Sequence, residues 1–171
     1  IGETRSVEND FFAWYVPNAE KITQGDFFGL KEYRYNPPGY AVVLALVGAL
    51  TLDLFVAGKV ISLLAAALAL LTLYFLLQKI FPPDLACWAV LATAINPWFI
   101  HSSYYVGTDM LFMALSCLTL LALLSSRTWR YGSSVTLAGV LTGLTWLIRY
   151  NGLFLVPTGI LAVYFLGGEI T

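Results

Sequence analysis

The chain has 171 residues, of which 59% are hydrophobic, 15% aromatic and only 11% charged, with a formal net charge of -1. So apolar a chain cannot be covered by polar surface, which excludes a soluble globular domain. The lack of a basic block excludes a nucleic-acid partner. An integral membrane protein remains.

Charge is concentrated at the amino-terminal end. Glu3, Arg5, Glu8, Asp10, Glu20, Lys21, Asp26, Lys31, Glu32 and Arg34 all precede the first apolar run. This head begins its aromatic stretch at Glu8-Asn9-Asp10-Phe11-Phe12 and ends at Tyr35-Asn36-Pro37-Pro38-Gly39-Tyr40. A carboxylate-bearing head leading into membrane spans points to chemistry at a membrane surface, on something partly lipid. The next run, Tyr40–Leu52, is about 13 residues, too short at 1.5 Å per residue to cross a bilayer core of about 30 Å. It is predicted to lie in the interface, with Thr51 or Asp53 capping the helix that follows.

Apolar runs then predict spans at 54–78, 85–101, 109–126, 133–149 and 152–167. The breaks are Phe81-Pro82-Pro83-Asp84, where Asp84 is placed to cap, residues 102–108, residues 125–130 and Tyr150-Asn151-Gly152. Lipid offers no partner to an open sheet edge, so every span should be helical. The predicted fold is an all-α membrane protein of about five transmembrane helices, with residues 53–171 as the bundle, preceded by an extramembrane head and a short interfacial helix. Gly139 and Gly143 form a small-xxx-small pair suited to close helix packing. Cys87 and Cys117 sit in apolar runs with no CxxC or Cys/His cluster, and read as packing residues rather than a disulfide or zinc site.

An interfacial 40–52 helix puts residues 1–39, the 102–108 loop and the 149–151 turn on one side, with Lys79, Arg127 and Arg130 opposite. If 40–52 crossed instead, those three basic residues would join Arg5, Lys21, Lys31 and Arg34 on one side, which the positive-inside rule slightly favours. In the first arrangement Asp10, Lys59, Asp109 and Arg149-Tyr150 converge on one membrane face. Asp10 and Asp109, the latter after the capping candidate Thr108, also suit first turns of helices through the helix dipole. Lys59 and Arg149 within spans need either an anion or an escape to the interface. His101 reads as interfacial rather than as a base. Trp14, Trp98, Tyr104 and Tyr105 fit an aromatic belt and also suit sugar stacking.

The order of short motifs carries a resemblance. Asp10, then Ala19-Glu20-Lys21-Ile22-Thr23-Gln24-Gly25-Asp26, then Tyr35-Asn36-Pro37-Pro38-Gly39-Tyr40, then Asn96-Pro97, Gly107-Thr108-Asp109 and Gly143-Leu144-Thr145-Trp146-Leu147-Ile148-Arg149-Tyr150-Asn151-Gly152 resemble the polytopic glycosyltransferases that use polyprenyl-phosphate sugars. That group includes protein O-mannosyltransferases and the aminoarabinose transferases that modify lipid A. The chain is similar to the amino-terminal portion of such an enzyme. The resemblance implies that residues 1–39 form an outward-facing catalytic loop, with Asp10 as catalytic carboxylate and Asp109 as the second acid. It implies that Arg149 lies near the lipid phosphate. Tyr150, Lys59 and Tyr104 are further substrate-binding candidates by their own chemistry and their place at that face.

The chemistry suits these residue types. A carboxylate takes the proton of an acceptor hydroxyl, and a fixed cation stabilises the charge that grows on the departing lipid phosphate. No DxD or His/Cys cluster calls for a metal, and no cofactor is expected. The expected partners are a lipid-linked sugar donor and membrane lipids, and the expected location is the bacterial inner (plasma) membrane as a multi-pass protein. The alternative is a shortened, non-catalytic relative serving as a structural transmembrane subunit among other membrane subunits. A transporter is a weaker third reading, because the charges gather at one face rather than near the midplane.

Overall fold

The computed structural model describes residues 10–26, 36–51, 53–125 and 131–167. Glu3, Arg5, Glu8, Asn9, Lys31, Glu32, Arg34, Tyr35, Arg127 and Arg130, all weighed above, lie outside the described residues. Every regular element among the described residues is a helix.

A π-helical turn, Phe11–Tyr15, leads from Asp10 into α1, Val16–Thr23. Pro17 gives a reason for the widened turn: it has no N–H to donate, and in a regular α-helix its ring would press on the carbonyl one turn back. Next comes α2, Gly39–Thr51, whose 13 residues match the short run anticipated from the sequence. Its Tyr40, Leu44 and Ala45 are buried, whereas Leu46 and Leu50 remain 67% and 84% exposed. A helix apolar on both faces with only one covered suits an apolar interface better than water.

The central element is α3, Leu54–Leu77, 24 residues long and capped by Asp53, one of the two capping candidates with Thr51; the Asp53 carboxylate accepts from the Phe55 and Val56 amides at 2.7 and 3.3 Å. It packs most extensively against α6, Asp109–Ser125. The seam sets Ala65, Ala66 and Ala69 against Met110 and Ala114, and its alanines let the two backbones approach closely. Among the described residues no seam forms at Gly139 and Gly143. Both lie in α7, Tyr131–Ile148, and a Cβ at either would meet nothing within 4 Å. Helix α7 packs on α6 through Ala138 instead, because that face carries the residues that fit Ala122 and Leu123.

The span anticipated at 85–101 is also corrected. It is two helices, α4, Pro83–Ala94, and α5, Pro97–Tyr104, bent by 64°. The Asn96 side chain accepts from the Trp98 and Phe99 amides at 2.9 and 3.4 Å, while Pro97 cannot continue the hydrogen-bond ladder, so a new helix start replaces an unbroken helix. Asp84 does not cap α4. Pro82 holds that position, and Asp84 sits in the first turn, where only the helix dipole favours it. Cys87 is exposed, Cys117 is buried, and both are free thiols.

A 3-10 segment, Tyr150–Phe154, follows α7 and leads into α8, Leu155–Gly167. Among the described residues α3 alone is long and apolar enough to cross a bilayer as one straight helix, and the bent α4–α5 pair would make a second.

The start of α2 docks on the end of α7. A Cβ at Gly39 would lie 2.5 Å from the Leu147 carbonyl oxygen, so only glycine permits this approach. Gly39→Ala is expected to destabilise the protein by about 1–3 kcal/mol, read as a lower apparent unfolding temperature in detergent. An unchanged transition would show that the α2–α7 contact gives way at no cost.

Candidate active site

One end of the bundle gathers the start of the π turn, the start of α6 and the end of α7. Lys79 lies at the other end, beside Ser125 and Ser134. At the first end is a cavity of about 300 Å³ lined by Asp10, Tyr15, Thr108, Asp109, Arg149 and Tyr150, with Asn36 and Asn151 among its remaining walls. Residues that are 99 and 139 positions from Asp10 in the chain, Asp109 and Arg149, therefore share one site with it.

Each charged group reaches the cavity for a local reason. Asp10 is exposed at the start of the π turn and makes no side-chain capping hydrogen bond. Thr108 supplies the carbonyl that accepts from the Phe112 amide at 2.9 Å, which places Asp109 in the first turn of α6. Arg149 has extended backbone between α7 and the 3-10 segment, so its side chain leaves the helical ladder. The 3-10 segment then folds back tightly: a Cβ at Gly152 would lie 2.6 Å from the Trp146 backbone nitrogen. Gly152 is thus what lets the chain turn directly beneath Arg149.

Asp109 and Arg149 form an ion pair, Oδ1 to Nη1, with side chains 55% and 38% exposed. The guanidinium also lies 5.8 Å from the centre of the Phe112 ring. A guanidinium has five N–H donors, and a single contact to Asp109 leaves others to meet an anion in the cavity. Tyr15, which sequence reasoning left outside the site, is buried between these charges. Burial raises its phenol above the ordinary tyrosine range, the charge of Asp10 adds to that, and the Thr108 hydrogen bond and Arg149 oppose it. The phenol therefore stays protonated at neutral pH. No spacing rule marked Tyr15, because positions five apart do not share a face of a regular α-helix and only the wider π turn brings it to the side of Asp10; Thr108 read only as a cap.

Lys59 and Tyr104, expected as substrate-binding residues, do not line this cavity. Lys59 donates to the Tyr104 carbonyl at 2.6 Å, and its ammonium lies 4.8 Å from the Phe55 ring centre and 5.9 Å from that of Tyr104. Tyr104 is 54% exposed and faces His101, ring centres 5.6 Å apart. The His101 ring also stacks on Tyr105 at 5.4 Å and meets Trp98 edge-on, so the histidine belongs to an exposed aromatic group. Among the described residues no group of three or more His, Cys, Asp or Glu side chains is assembled that could hold a metal ion.

The family model for dolichyl-phosphate-mannose-protein mannosyltransferases matches residues 35–170, most of the chain. The chain belongs to this family. Membership makes it a membrane glycosyltransferase of the mannosyltransferase type, in a family that uses a lipid-linked sugar donor. Comparison with curated proteins and with solved structures returned no match. The matched stretch contains Asp109, Arg149 and Tyr150, whereas Asp10 and Tyr15 precede it and join the site through the fold.

Proposed function

We propose that this chain forms the catalytic end of a glycosyltransferase that moves a sugar from a polyprenyl-phosphate donor to an acceptor hydroxyl at the outer membrane face. The observation that carries the proposal is the shared cavity, in which an uncapped carboxylate, Asp10, stands with the ion-paired Arg149. Asp10 takes the proton of the acceptor hydroxyl as its oxygen bonds to the anomeric carbon. The sugar–phosphate bond breaks with its electron pair on the departing phosphate oxygen. Arg149 stabilises that growing charge, and Asp109 holds the guanidinium in place. Tyr150, its ring centre 5.9 Å from that of Trp146, lines the cavity with Arg149.

In this reading residues 1–39 are the outward-facing catalytic head, residues 40–52 lie in the interface, and residues 53–171 supply about five spans, the second bent. The setting is a multi-pass protein of the bacterial inner membrane.

The test is transfer by the full-length protein in proteoliposomes, offered polyprenyl-phosphate sugars and, separately, nucleotide sugars. Transfer is expected only from the lipid-linked donors. Transfer from nucleotide sugars alone would overturn the donor assignment. No transfer from any donor would favour the structural-subunit reading.

A further inference from the structure

We propose that Lys59, with Ser62, is a positioning residue that clamps the turn leading into Asp109. The role rests on the glycosyltransferase reading for what the turn serves, but the clamp itself is geometric. Lys59 and Ser62 stand three apart on α3 and so share a face. Lys59 Nζ donates to the Tyr104 carbonyl at 2.6 Å, and Ser62 Oγ donates to the Tyr105 carbonyl at 2.8 Å. Tyr104 ends α5 and Tyr105 is its extended C-cap, so both carbonyls fall where a helix leaves its acceptors without intrahelical donors. A cation is favoured there by the helix dipole as well.

The residues just after the clamp all enter the site. Val106, 1% exposed, joins the core cluster with Phe11 and Tyr15. Thr108 lines the cavity with Tyr15, and Asp109 pairs with Arg149. Two consecutive carbonyls fixed on the long helix therefore set where the next four residues lie. The rings of Phe55 and Tyr104 beside the ammonium keep it on this backbone target, apart from the cavity.

The test uses the full-length protein and two readouts. In hydrogen exchange, Lys59→Met should speed exchange of the amides in 105–110 while leaving those of 63–77 in α3 unchanged. In steady-state transfer, Lys59→Met should lower kcat by about 10–100-fold with the donor KM nearly unchanged, because a displaced Asp109–Arg149 pair misplaces the reacting groups without removing a donor contact. Lys59→Arg, which keeps a cationic donor, should restore most of the rate. Ser62→Ala, the milder variant, should act in the same direction with a smaller effect. Unchanged exchange in Lys59→Met and Ser62→Ala overturns the clamp. A raised donor KM at constant kcat overturns it in favour of donor binding by Lys59, and faster exchange with an unchanged kcat overturns its role in the reaction. Exchange needs no turnover, so a wild-type protein without transfer activity would sink the enzymatic reading while the clamp is still judged by exchange.

Discussion

Asp10→Asn should reduce transfer by about 10²–10⁴-fold while leaving the fold and donor binding intact. The exchange is nearly isosteric and removes the one property a general base needs, an oxygen that accepts a full proton. Structural readings of Asp10 predict much less. It makes no capping hydrogen bond to the π turn it precedes, so what the fold loses is a helix-dipole contact of about 0.3–1 kcal/mol. Turnover should therefore collapse while the unfolding transition moves little. The measurement is initial rate at saturating donor beside thermal unfolding of the same preparation. Near-normal turnover in Asp10→Asn would remove it as the base and leave Asp109 as the remaining carboxylate in the cavity known to contact Arg149.

Arg149→Ala is expected to cost about 10²–10³-fold in kcat, the usual effect of removing one donor aimed at developing negative charge. Its effect on stability should stay within about 1 kcal/mol, because the Asp109–Arg149 pair is more than a third exposed on both sides and solvent screens it. The double exchange Asp109→Arg with Arg149→Asp separates structure from chemistry. It keeps opposite charges in contact, so the unfolding temperature should stay close to that of the native protein, yet a carboxylate then stands where the phosphate needs a cation. Transfer should remain lost. Recovery of transfer in the swapped protein would mean that the pair serves packing alone.

Much of the architecture was legible because it follows from local rules. The 13-residue length of α2 was anticipated from run length, and Asp53 was one of two candidates, with Thr51, for the cap of α3 that the structure resolves in its favour. The break at Asn96-Pro97 was visible as a motif, but its consequence was underestimated. An apolar stretch reads as one span by composition, and composition does not register that Asn96 captures two amides and starts a second helix. The packing seam was misjudged for a related reason. Gly139 and Gly143 satisfy a spacing rule, but which face of α7 meets a neighbour depends on helices distant in the chain, and the alanines of α3 took that role against α6.

The sequence by itself determined the membrane class, the helical content, the short length of α2 and the short list of charges expensive enough to need an explanation. Those properties depend on residues within a few positions of one another and on the cost of exposing apolar or backbone groups. The sequence anticipated Asp10, Lys59, Asp109 and Arg149 on one face with Asp109 near Arg149, and the tertiary structure decided which of the four share the cavity. Asp10, Asp109 and Arg149 come together, and Tyr15 joins them, because the π turn, the start of α6 and the end of α7 share one end of the bundle. Lys59, one turn inside the same end, is instead held on the Tyr104 carbonyl between two aromatic rings, because a cation near a helix terminus takes the nearest orphaned acceptor.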